Sequence, residues 1–352
     1  MPGAGLSRRS NMKIAVVHPE ADARERWARA LSACLPEARV LAWPAGPAGP
    51  GSETLRDRDA SPRAGGRDER PGEDDDDGQV TSADYAVGWK PPADFFDRVR
   101  VSRAFFSAGA GVDRLVGQPG IPSTLPLIRL EDAGMAMQMA EYCCLEVLRR
   151  FRLQAQYEAQ QRDRVWRELD PPPRERFAVG VFGLGVLGTQ VAHAVRGFGF
   201  PVVGYSRSPR HVEGVECFSG PHALPRFLAR CNVLILLAPL TADTDSLFDR
   251  RHLEMLPPGA WVINVARGAL VVDADLISAI DAGHLAGATL DVFREEPLPA
   301  EHPFWQHPRI RVTPHVSAIT LIEESAAQIA GKIRALERGE TVGGVVDRSR
   351  GY

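Results

Sequence analysis

Lysine is scarce in this sequence, and cysteine is sparse. Lysine occurs only at Lys13, Lys90 and Lys332, so arginine supplies almost all of the positive charge. The five cysteines are scattered, and the one adjacent pair, Cys143 and Cys144, lies inside a helical pattern. Adjacent positions on a helix suit neither a disulfide nor a metal site. We therefore expect reduced thiols, no metal and a cytoplasmic protein.

Long apolar runs are also missing. No stretch reaches the length needed to span a bilayer, and the arginines near the N-terminus have no apolar core behind them, which argues against a secretory signal. The net charge of −3 gives no sign of a polyanionic partner, so we expect neither nucleic-acid nor membrane binding. With 44% hydrophobic and 25% charged residues, the 352-residue chain is typical of a globular protein of two domains.

The strongest functional signal is the segment Phe177–Gly188, F-A-V-G-V-F-G-L-G-V-L-G. Its apolar first half predicts a strand buried on both faces, and Thr189–Phe198 predicts a helix after it. The glycine turn has the G-x-G-x-x-G spacing of dinucleotide sites. Gly183 would make the tight turn, Gly185 would admit the pyrophosphate, and Gly188 would let helix and strand pack closely. The phosphates would then lie at the helix N-terminus, where free N–H groups favour negative charge.

The next predicted strand, Pro201–Arg210, ends in residues that bear on the choice of nicotinamide cofactor. NAD sites place Asp or Glu about 20 residues after the last glycine to bind the ribose 2′-hydroxyl. Here Ser206 stands 18 residues after Gly188, followed by Arg207 and, close behind, Arg210. A carboxylate would repel a 2′-phosphate, whereas a hydroxyl and a guanidinium can bind one. The sequence therefore favours NADPH, with NADH as a weaker cofactor.

Strand and helix patterns alternate along most of the chain, which predicts an α/β protein. After Arg210 the alternation predicts a doubly wound, mostly parallel sheet of the Rossmann type. One long amphipathic helix, Glu131–Gln156, is predicted to bridge this domain and a smaller α/β unit before it. The predicted strands are Lys13–His18, Arg39–Trp43, Asp84–Trp89, Val101–Ser107, Cys231–Leu237, Trp261–Val265, Gly287–Phe293 and Ile310–Thr313, and further helices are predicted at Asp22–Cys34, Ala274–Ala282 and Glu324–Glu337.

Two segments break this pattern. Ala45–Gly78 is mostly Gly, Pro, Arg and acidic residues, and it contains the run Glu73–Asp77. Because too few apolar residues are present to offset the entropy of ordering, we predict a disordered acidic insertion. A tether for a basic partner is the alternative. Met1–Asn11 is predicted to be a disordered leader, with Met12 as an alternative translation start.

Three polar residues follow predicted strands, where ligands bind in open α/β sheets. Arg267 follows W-V-I-N-V-A, Glu296 follows L-D-V-F, and His315 follows I-R-V. His315 would protonate a carbonyl oxygen as hydride reaches the carbon, and Glu296 would hold the imidazole and favour its charged form. Arg267 would bind a carboxylate or polarise the carbonyl through two N–H donors. Each residue alone has an ordinary structural explanation, but three after successive strands favour catalysis.

Motifs along the whole chain point to one family. They are F-S-A-G-A-G-V-D at Phe106–Asp113, Q-M-A-E-Y at Gln138–Tyr142, G-L-G-V-L-G at Gly183–Gly188, Y-S-R-S at Tyr205–Ser208, A-R-G-A-L-V at Ala266–Val271, L-D-V-F-R-E-E-P-L-P at Leu290–Pro299, W-Q-H-P-R at Trp305–Arg309, T-P-H-V at Thr313–Val316 and V-D-R-S-R-G-Y at Val346–Tyr352. Together they resemble the D-2-hydroxyacid dehydrogenases, and most closely the glyoxylate/hydroxypyruvate reductase A branch. The resemblance covers nearly everything from Met12 on except the acidic insertion, which is longer than this branch normally carries.

The resemblance implies site residues. It makes Arg267, Glu296 and His315 the catalytic set. It places backbone N–H groups near Ala108, Gly109 and Ala110 against the substrate carboxylate, a role for which composition alone supports only a glycine-rich anion nest. It also places Trp89 near the substrate pocket, although core packing explains Trp89 equally well. The remaining predicted cofactor contacts are Leu184, Val186, Leu187, Ala238, Pro239, Val265, Ala266 and Asp291.

The resemblance also implies an architecture. The substrate domain would be discontinuous and flavodoxin-like, comprising residues 12–126 and 319–352. The dinucleotide-binding domain would comprise residues 127–318. Homodimers are expected by the same analogy.

We therefore predict an NADPH-dependent reductase of small 2-oxo acids, acting on glyoxylate and hydroxypyruvate to form glycolate and D-glycerate. Another branch, such as a phosphoglycerate or formate dehydrogenase, is the nearest alternative. The Ser206–Arg207 pair and the lack of a predicted regulatory domain argue against phosphoglycerate dehydrogenase. A nucleotide-sensing, corepressor-like binding protein of the same fold would keep the same three residues, so those residues alone do not exclude it.

Overall fold

A computed structural model describes residues 12–43, 81–118 and 120–352. The predicted leader Met1–Asn11 and the predicted insertion Ala45–Gly78 lie outside the described residues. The described chain falls into two compact units. Unit 1 holds the described residues up to Ala108 with Gly117–Ile128 and Ala326–Val345, and unit 2 holds Gly109–Val116, Arg129–Ser325 and Val346–Tyr352.

Unit 1 is built on a five-stranded sheet in the order β2-β1-β3-β4-β5, with every neighbouring pair parallel. This is the strand order of flavodoxin-like folds. Its strands are β1 Met12–Val17, β2 Ala38–Ala42, β3 Ser82–Gly88, β4 Arg100–Ser107 and β5 Leu127–Ile128, and its first two helices are α1 Ala21–Cys34 and α2 Phe95–Arg98. Ile14, Ala15 and Ala86 are fully buried, as expected for central strands of a sheet covered on both faces.

Unit 2 is built on a seven-stranded parallel sheet in the order β12-β11-β10-β9-β6-β7-β8. Its strands are β6 Val179–Phe182, β7 Val202–Ser206, β8 Glu216–Ser219, β9 Val233–Leu236, β10 Ala260–Asn264, β11 Leu285–Leu290 and β12 Ile310–Val312. The first six strands have the Rossmann order, and β12 extends the edge. The predicted fold class is thereby confirmed, although β5 and β8 were not predicted.

The remaining helices lie mainly in unit 2. They are α3 Asp113–Val116, α4 Met135–Phe151, α5 Gln154–Arg162, α6 Val186–Gly197, α7 Leu224–Leu228, α8 Arg250–Leu253, α9 Asp273–Asp281 and α10 Ile322–Glu337, which runs on into unit 1. None of the helices in the described part of the chain is long and apolar enough to cross a membrane.

The single helix predicted over Glu131–Gln156 is wrong in both bounds. The helix begins only at Met135, after Gly134 with a left-handed φ of 81°, and Asp132 Oδ1 accepts a hydrogen bond from the Ala136 amide at 2.8 Å. It ends at Phe151, and two residues later Leu153 takes a left-handed φ of 55° before α5 begins. The apolar spacing runs on across this break, so periodicity could not locate it.

The start of α6 also differs from the prediction. The helix begins at Val186, three residues before the predicted Thr189, because Gly185 is the N-cap. Gly188 therefore lies inside the first turn of the helix. The earlier start places the N-terminus of the helix, with its unpaired amides, directly at Gly185.

The sheet of unit 2 carries an apolar core on each face. Val233 and Ile235 of β9 join one buried cluster, which also contains residues of α4 and α6. Leu234 and Leu236 join the other. Successive side chains of a strand point to opposite faces, so the continuous apolar run V-L-I-L serves both cores and exposes none of its residues.

Candidate active site

The three glycines of the turn after β6 each answer a different steric demand. Gly183 has φ 114°, and a Cβ there would lie 2.6 Å from the Ala238 amide nitrogen. A Cβ at Gly188 would lie 1.8 Å from the Gly183 carbonyl oxygen, so α6 packs against the turn. A Cβ at Gly185 would meet no heavy atom within 4 Å. The backbone at Gly185 therefore borders open space that a side chain would obstruct, as a phosphate cradle requires.

Backbone donors are available at the same place. Gly185 caps α6 without a side-chain hydrogen bond, and its carbonyl accepts from the Thr189 amide at 2.9 Å. Among the described residues, no acceptor is recorded for the amides of Gly185, Val186 and Leu187. The first amides of a helix favour an anion, so these residues fit a pyrophosphate. Leu184 is buried, which leaves only its backbone for such a role.

The end of β7 presents two arginines. Arg207 and Arg210 are exposed, and neither has a recorded ion pair or hydrogen bond within the part of the chain that the structure describes. The Arg207 guanidinium lies 5.2 Å from the centroid of the Tyr352 ring. Ser206 Oγ donates to the Ser208 carbonyl at 2.8 Å, so its hydroxyl would have to exchange that partner to donate to a phosphate. Among the described residues no carboxylate pairs with either guanidinium, so the positive charge is available to a 2′-phosphate.

Other predicted cofactor residues follow the next parallel strands. Ala238 and Pro239 lie just beyond β9, separated from its last residue by one position. Ala238 is half-buried and Pro239 is exposed. Val265 and Ala266 come directly after β10 and are buried. Parallel strands present their carboxyl ends at one edge of the sheet, so these residues share the edge with the glycine turn.

Asp291 comes directly after β11 and is fully buried. Its Oδ1 accepts from Thr313 Oγ1 at 2.6 Å and from the Val316 amide at 2.9 Å, and its Oδ2 accepts from the Ser317 amide at 2.8 Å. Its backbone carbonyl accepts from the His315 amide at 2.8 Å. In the structure Asp291 therefore organises the loop that carries His315, a role that the sequence did not suggest.

This loop holds the backbone of His315 in a conformation that residues other than glycine rarely adopt. His315 has a left-handed φ of 56°. Such a conformation costs a non-glycine residue about 1–2 kcal/mol. The hydrogen bonds that Asp291 accepts from Thr313, Val316 and Ser317, on either side of His315, supply the constraint that maintains this conformation. The imidazole thus has a specified position although it lies on a loop.

His315 and Glu296 form the central pair of the site. His315 Nδ1 lies 3.0 Å from Glu296 Oε2, and the other carboxylate oxygen accepts from the Phe293 amide at 3.0 Å. The two residues follow neighbouring strands, β12 and β11. The His315 side chain is 41% exposed and that of Glu296 is 25% exposed. The pair therefore has one half-buried member that orients and one more accessible member that can react.

Glu296 is held in its ionised form. Burial raises the pKa of this carboxyl, but the hydrogen bonds from His315 and from the Phe293 amide outweigh it, and the charges of His315 and Arg114 add to them. The net result is a pKa of about 2. A carboxylate at neutral pH accepts hydrogen bonds only, so Nδ1 of His315 must carry its proton, and Nε2 is the nitrogen that can exchange a proton with a ligand.

Arg267 follows β10 and is fixed by two partners. Its Nε donates to Asp113 Oδ1 at 2.8 Å, and its Nη1 donates to the Ala266 carbonyl at 2.7 Å. A Cβ at Gly111 would lie 1.4 Å from Nη2, so the guanidinium packs directly on the Gly111 backbone. Asn264 supports the turn, because its side chain accepts from the Ala266 amide and donates to the Arg267 carbonyl. The structure therefore presents an oriented guanidinium beside a glycine-rich loop.

Several supporting residues escaped the sequence analysis. Asp113 is the last residue of the S-A-G-A-G-V-D motif, and Asn264 ends the strand W-V-I-N. Gln138 and Tyr142 belong to the Q-M-A-E-Y motif and lie four apart, which places them on one face of α4. That spacing was the signal that could have identified them as a pair.

Gln138 and Tyr142 hold both ends of the His315 loop. Tyr142 Oη lies 2.6 Å from Thr313 Oγ1, and because that hydroxyl donates to Asp291, Tyr142 must be the donor. Gln138 Nε2 donates to the Ile319 carbonyl at 3.1 Å, and its Oε1 accepts from the Ile319 amide at 3.2 Å. One turn of α4 thus clamps the loop before and after the histidine.

The predicted substrate residues fall on either side of the division between the units. Trp89 is half-buried in unit 1, and its amide donates to the Val17 carbonyl at 3.1 Å. Ala108 ends the unit 1 segment with its amide donating to the Gly88 carbonyl at 2.8 Å. Gly109 and Ala110 begin the unit 2 segment that continues to Asp113. In the described ranges no cluster of His, Cys, Asp and Glu is arranged to hold a metal ion.

Comparison with known proteins places this chain in a class. Residues 144–317 match the family described as D-isomer specific 2-hydroxyacid dehydrogenase, NAD binding domain. A curated relative that is 42% identical over 346 residues spans 97% of this chain and 100% of its own length. The chain belongs to the D-isomer specific 2-hydroxyacid dehydrogenase family.

That relative is glyoxylate/hydroxypyruvate reductase A of Serratia proteamaculans. Among solved structures, a D-isomer specific 2-hydroxyacid dehydrogenase from Xanthobacter autotrophicus Py2, in complex with NADPH and MES, is 37% identical with a TM-score of 0.84, and the match covers 97% of this chain and 100% of that one. The NADPH-dependent glyoxylate/hydroxypyruvate reductase of Sinorhizobium meliloti, in complex with NADP and sulfate, is 32% identical with a TM-score of 0.82 and the same coverage.

Proposed function

We propose that this protein is an NADPH-dependent reductase of small 2-oxo acids that converts glyoxylate to glycolate and hydroxypyruvate to D-glycerate. The observation that carries the proposal is the His315–Glu296 pair at the carboxyl edge of the sheet that also bears the glycine turn. The relatives that match over 97% of this chain include a glyoxylate/hydroxypyruvate reductase A and an NADPH-dependent glyoxylate/hydroxypyruvate reductase.

His315 is the proton donor in this proposal. The ionised Glu296 occupies Nδ1, which fixes the ring and leaves Nε2 to protonate the carbonyl oxygen of the substrate. Glu296 also stabilises the imidazolium from which the proton leaves. NADPH supplies the hydride when it is bound.

Arg267 is the substrate-binding cation in this proposal. Its Nε and Nη1 are committed to Asp113 and the Ala266 carbonyl, so Nη2 is the group offered to the substrate carboxylate. Backbone amides near Ala108, Gly109 and Ala110 would share that carboxylate, and Trp89 would border the pocket. A carboxylate and an adjacent carbonyl use all of these groups, which favours small substrates.

The cofactor would occupy the sheet edge of unit 2. The amides after Gly183 and the open space at Gly185 suit the pyrophosphate, and Arg207 with Arg210 and Ser206 suit the 2′-phosphate. Among the structural relatives, the Xanthobacter protein is in complex with NADPH and the Sinorhizobium protein with NADP. These observations support NADPH over NADH.

Wider features of the proposal rest on the sequence and on exposed surface. We retain residues 12–126 and 319–352 as the substrate domain and residues 127–318 as the cofactor domain, although Gly109–Val116, residues 319–325 and Val346–Tyr352 of the proposed substrate domain belong to compact unit 2. A homodimer is supported by the exposed apolar residues of α4 and of the segment after α5, which are Met137, Leu145, Val165 and Trp166. A cytoplasmic location is supported by the five cysteines, all of which are free thiols.

The test is the oxidation of NADPH, followed by the absorbance of the reduced cofactor, with glyoxylate and with hydroxypyruvate, and repeated with NADH. Turnover that favours NADPH is expected. Preference for NADH would contradict the role of Arg207 and leave the reaction class intact. Nucleotide binding without turnover of either 2-oxo acid would contradict the proposed activity and favour a nucleotide-sensing protein.

A further inference from the structure

The last seven residues of the chain, Val346–Tyr352, form a closed turn in unit 2. The backbone carbonyl of Asp347 accepts from the amides of Arg350 and Gly351, each at 3.0 Å, and its carboxylate accepts from the Ser349 amide and pairs with Arg350 Nε at 2.9 Å. The Asp347 amide donates to the Tyr352 carbonyl at 3.1 Å, which closes the turn. This turn will be called the tail turn.

The tail turn directs Tyr352 to the cofactor edge of the sheet. Gly351 has a left-handed φ of 81°, which reverses the chain, and a Cβ there would lie 3.7 Å from Thr241 Cγ2. Thr241 belongs to the loop after β9, and Arg207, which the Tyr352 ring contacts, comes directly after β7. These two strands flank β6, which leads into the glycine turn. The tail turn therefore touches the loops on both sides of the predicted dinucleotide site.

The contact with Tyr352 suits Arg207 for binding a phosphate. Arg207 Cζ lies over the Tyr352 ring, 5.2 Å from its centroid, and this contact restrains the guanidinium without giving its N–H donors an oxygen acceptor. Arg207 has no recorded hydrogen bond or ion pair elsewhere in the described ranges, so its donors remain available. Holding a long side chain in one orientation lowers the entropy cost of binding. We propose that Tyr352 is a positioning residue that holds Arg207 for the 2′-phosphate and thereby strengthens selection of NADPH over NADH.

This inference rests on the proposed function, since it concerns the cofactor of that reaction. A purely structural role for Tyr352, anchoring the end of the chain, would affect both cofactors alike. Positioning of Arg207 affects only the cofactor that carries a 2′-phosphate. Two properties therefore separate the roles: dependence on the phosphate and dependence on Arg207.

The experiment measures the Kd values of NADPH and NADH by the fluorescence of the reduced cofactor in the intact protein, without substrate. The variants are Tyr352→Ala, Tyr352→Phe and Arg207→Ala. Tyr352→Ala is expected to raise the Kd for NADPH about two- to fivefold, the loss typical of an exposed cation–π contact, and to leave the Kd for NADH unchanged. Tyr352→Phe keeps a ring and is expected to retain the wild-type Kd.

A double-mutant cycle completes the test. In an Arg207→Ala background, Tyr352→Ala is expected to cause no further loss of NADPH affinity. In an Arg210→Ala background, the matched control without a recorded aromatic contact, the effect of Tyr352→Ala should persist. An equal loss for both cofactors, or a loss that persists without Arg207, would overturn the inference alone. A wild-type protein that binds NADH as tightly as NADPH would overturn the proposed cofactor preference and this inference together.

Discussion

At the scale of single residues, His315 is predicted to act in the chemical step and not in cofactor binding, because it pairs with Glu296 away from the glycine turn. The imidazole lies on the loop after β12, whereas the glycine turn and Arg207 lie after β6 and β7. We expect His315→Ala to lower kcat by about 10²–10⁴-fold while changing the Kd for NADPH little, because a general acid acts in the transition state. Steady-state kinetics and fluorescence titration on one preparation measure both. Comparable losses in kcat and in NADPH affinity would contradict the assignment.

Glu296 predicts a pH dependence of stability. Its pKa is about 2 in the folded protein, against an ordinary value of 4.5. Because the pKa of Glu296 is lower in the folded than in the unfolded protein, its ionised carboxylate stabilises the fold at any pH above about 4.5. This contribution is lost as the pH falls from about 4.5 towards 2. As the pH falls through that window, the free energy of unfolding should decrease by about 1–3 kcal/mol less in Glu296→Gln than in the wild type. Urea denaturation at several pH values measures it.

The control for this pH effect is Glu295→Gln, a change at the exposed neighbouring residue. It should follow the wild-type profile because it leaves the pair with His315 intact. Parallel profiles for the wild type and Glu296→Gln would show that the carboxylate does not stabilise the fold through this pair.

Substitutions at Arg267 and Gly111 are expected to weaken the use of substrate without weakening the binding of the cofactor. Arg267→Ala removes a charge-assisted contact worth about 1.5–3 kcal/mol, which lowers kcat/KM for glyoxylate roughly 10- to 150-fold. Gly111→Ala should act in the same direction, because the new Cβ would collide with Nη2. The Kd for NADPH checks that the cofactor site is intact. Wild-type kcat/KM in either variant would argue against substrate binding by this guanidinium.

At the scale of secondary structure, α4 acts on the site through the loop that it clamps. Tyr142→Phe removes the hydroxyl that donates to Thr313, and Gln138→Ala removes both hydrogen bonds to Ile319. We expect each to lower kcat several-fold and more than it changes the Kd for NADPH, because the left-handed His315 loses support on one side. Glu141→Gln, an exposed change on the same helix, is the control. Equal kcat values in all three variants would contradict the clamp.

The same helix shows why element bounds are harder to predict than element types. Apolar spacing identified a helix around Gln138–Tyr142, but the spacing continues past Leu153, where the backbone turns left-handed. The start of α6 was misplaced for a related reason: Gly188 fits inside a helical turn as well as before one. Both errors concern backbone dihedral angles, which side-chain patterns do not report.

At the scale of the whole molecule, the exposed apolar residues predict self-association. Trp166 has no burial at all, and Leu145 is 54% exposed. Covering them would bury apolar surface at about 25 cal/mol per Å², which favours the proposed homodimer. We expect the mass of two chains in analytical ultracentrifugation, and Trp166→Glu should raise the dimer dissociation constant. A concentration-independent monomer would contradict the dimer.

The sequence by itself determined the class of this protein, because the relevant information is local. The strand, glycine turn and helix around Gly183–Gly188 form one contiguous unit, and strand alternation predicts a parallel sheet. The residues after β10, β11 and β12 could be placed at one edge, since parallel strands end on the same side. The position of Ser206 and Arg207, 18 and 19 residues after Gly188, likewise predicts that they lie at the cofactor ribose, and this stays a prediction.

Only the tertiary structure decided what holds these residues in place. Asp291, predicted as a cofactor contact, proves to organise the His315 loop, and Asp113 pairs with Arg267 across 154 positions of sequence. The contact between Arg207 and Tyr352 likewise joins residues 145 positions apart (352 − 207). Such partners are brought together by the packing of the whole sheet, and no local pattern of side chains encodes which distant residue will arrive beside them.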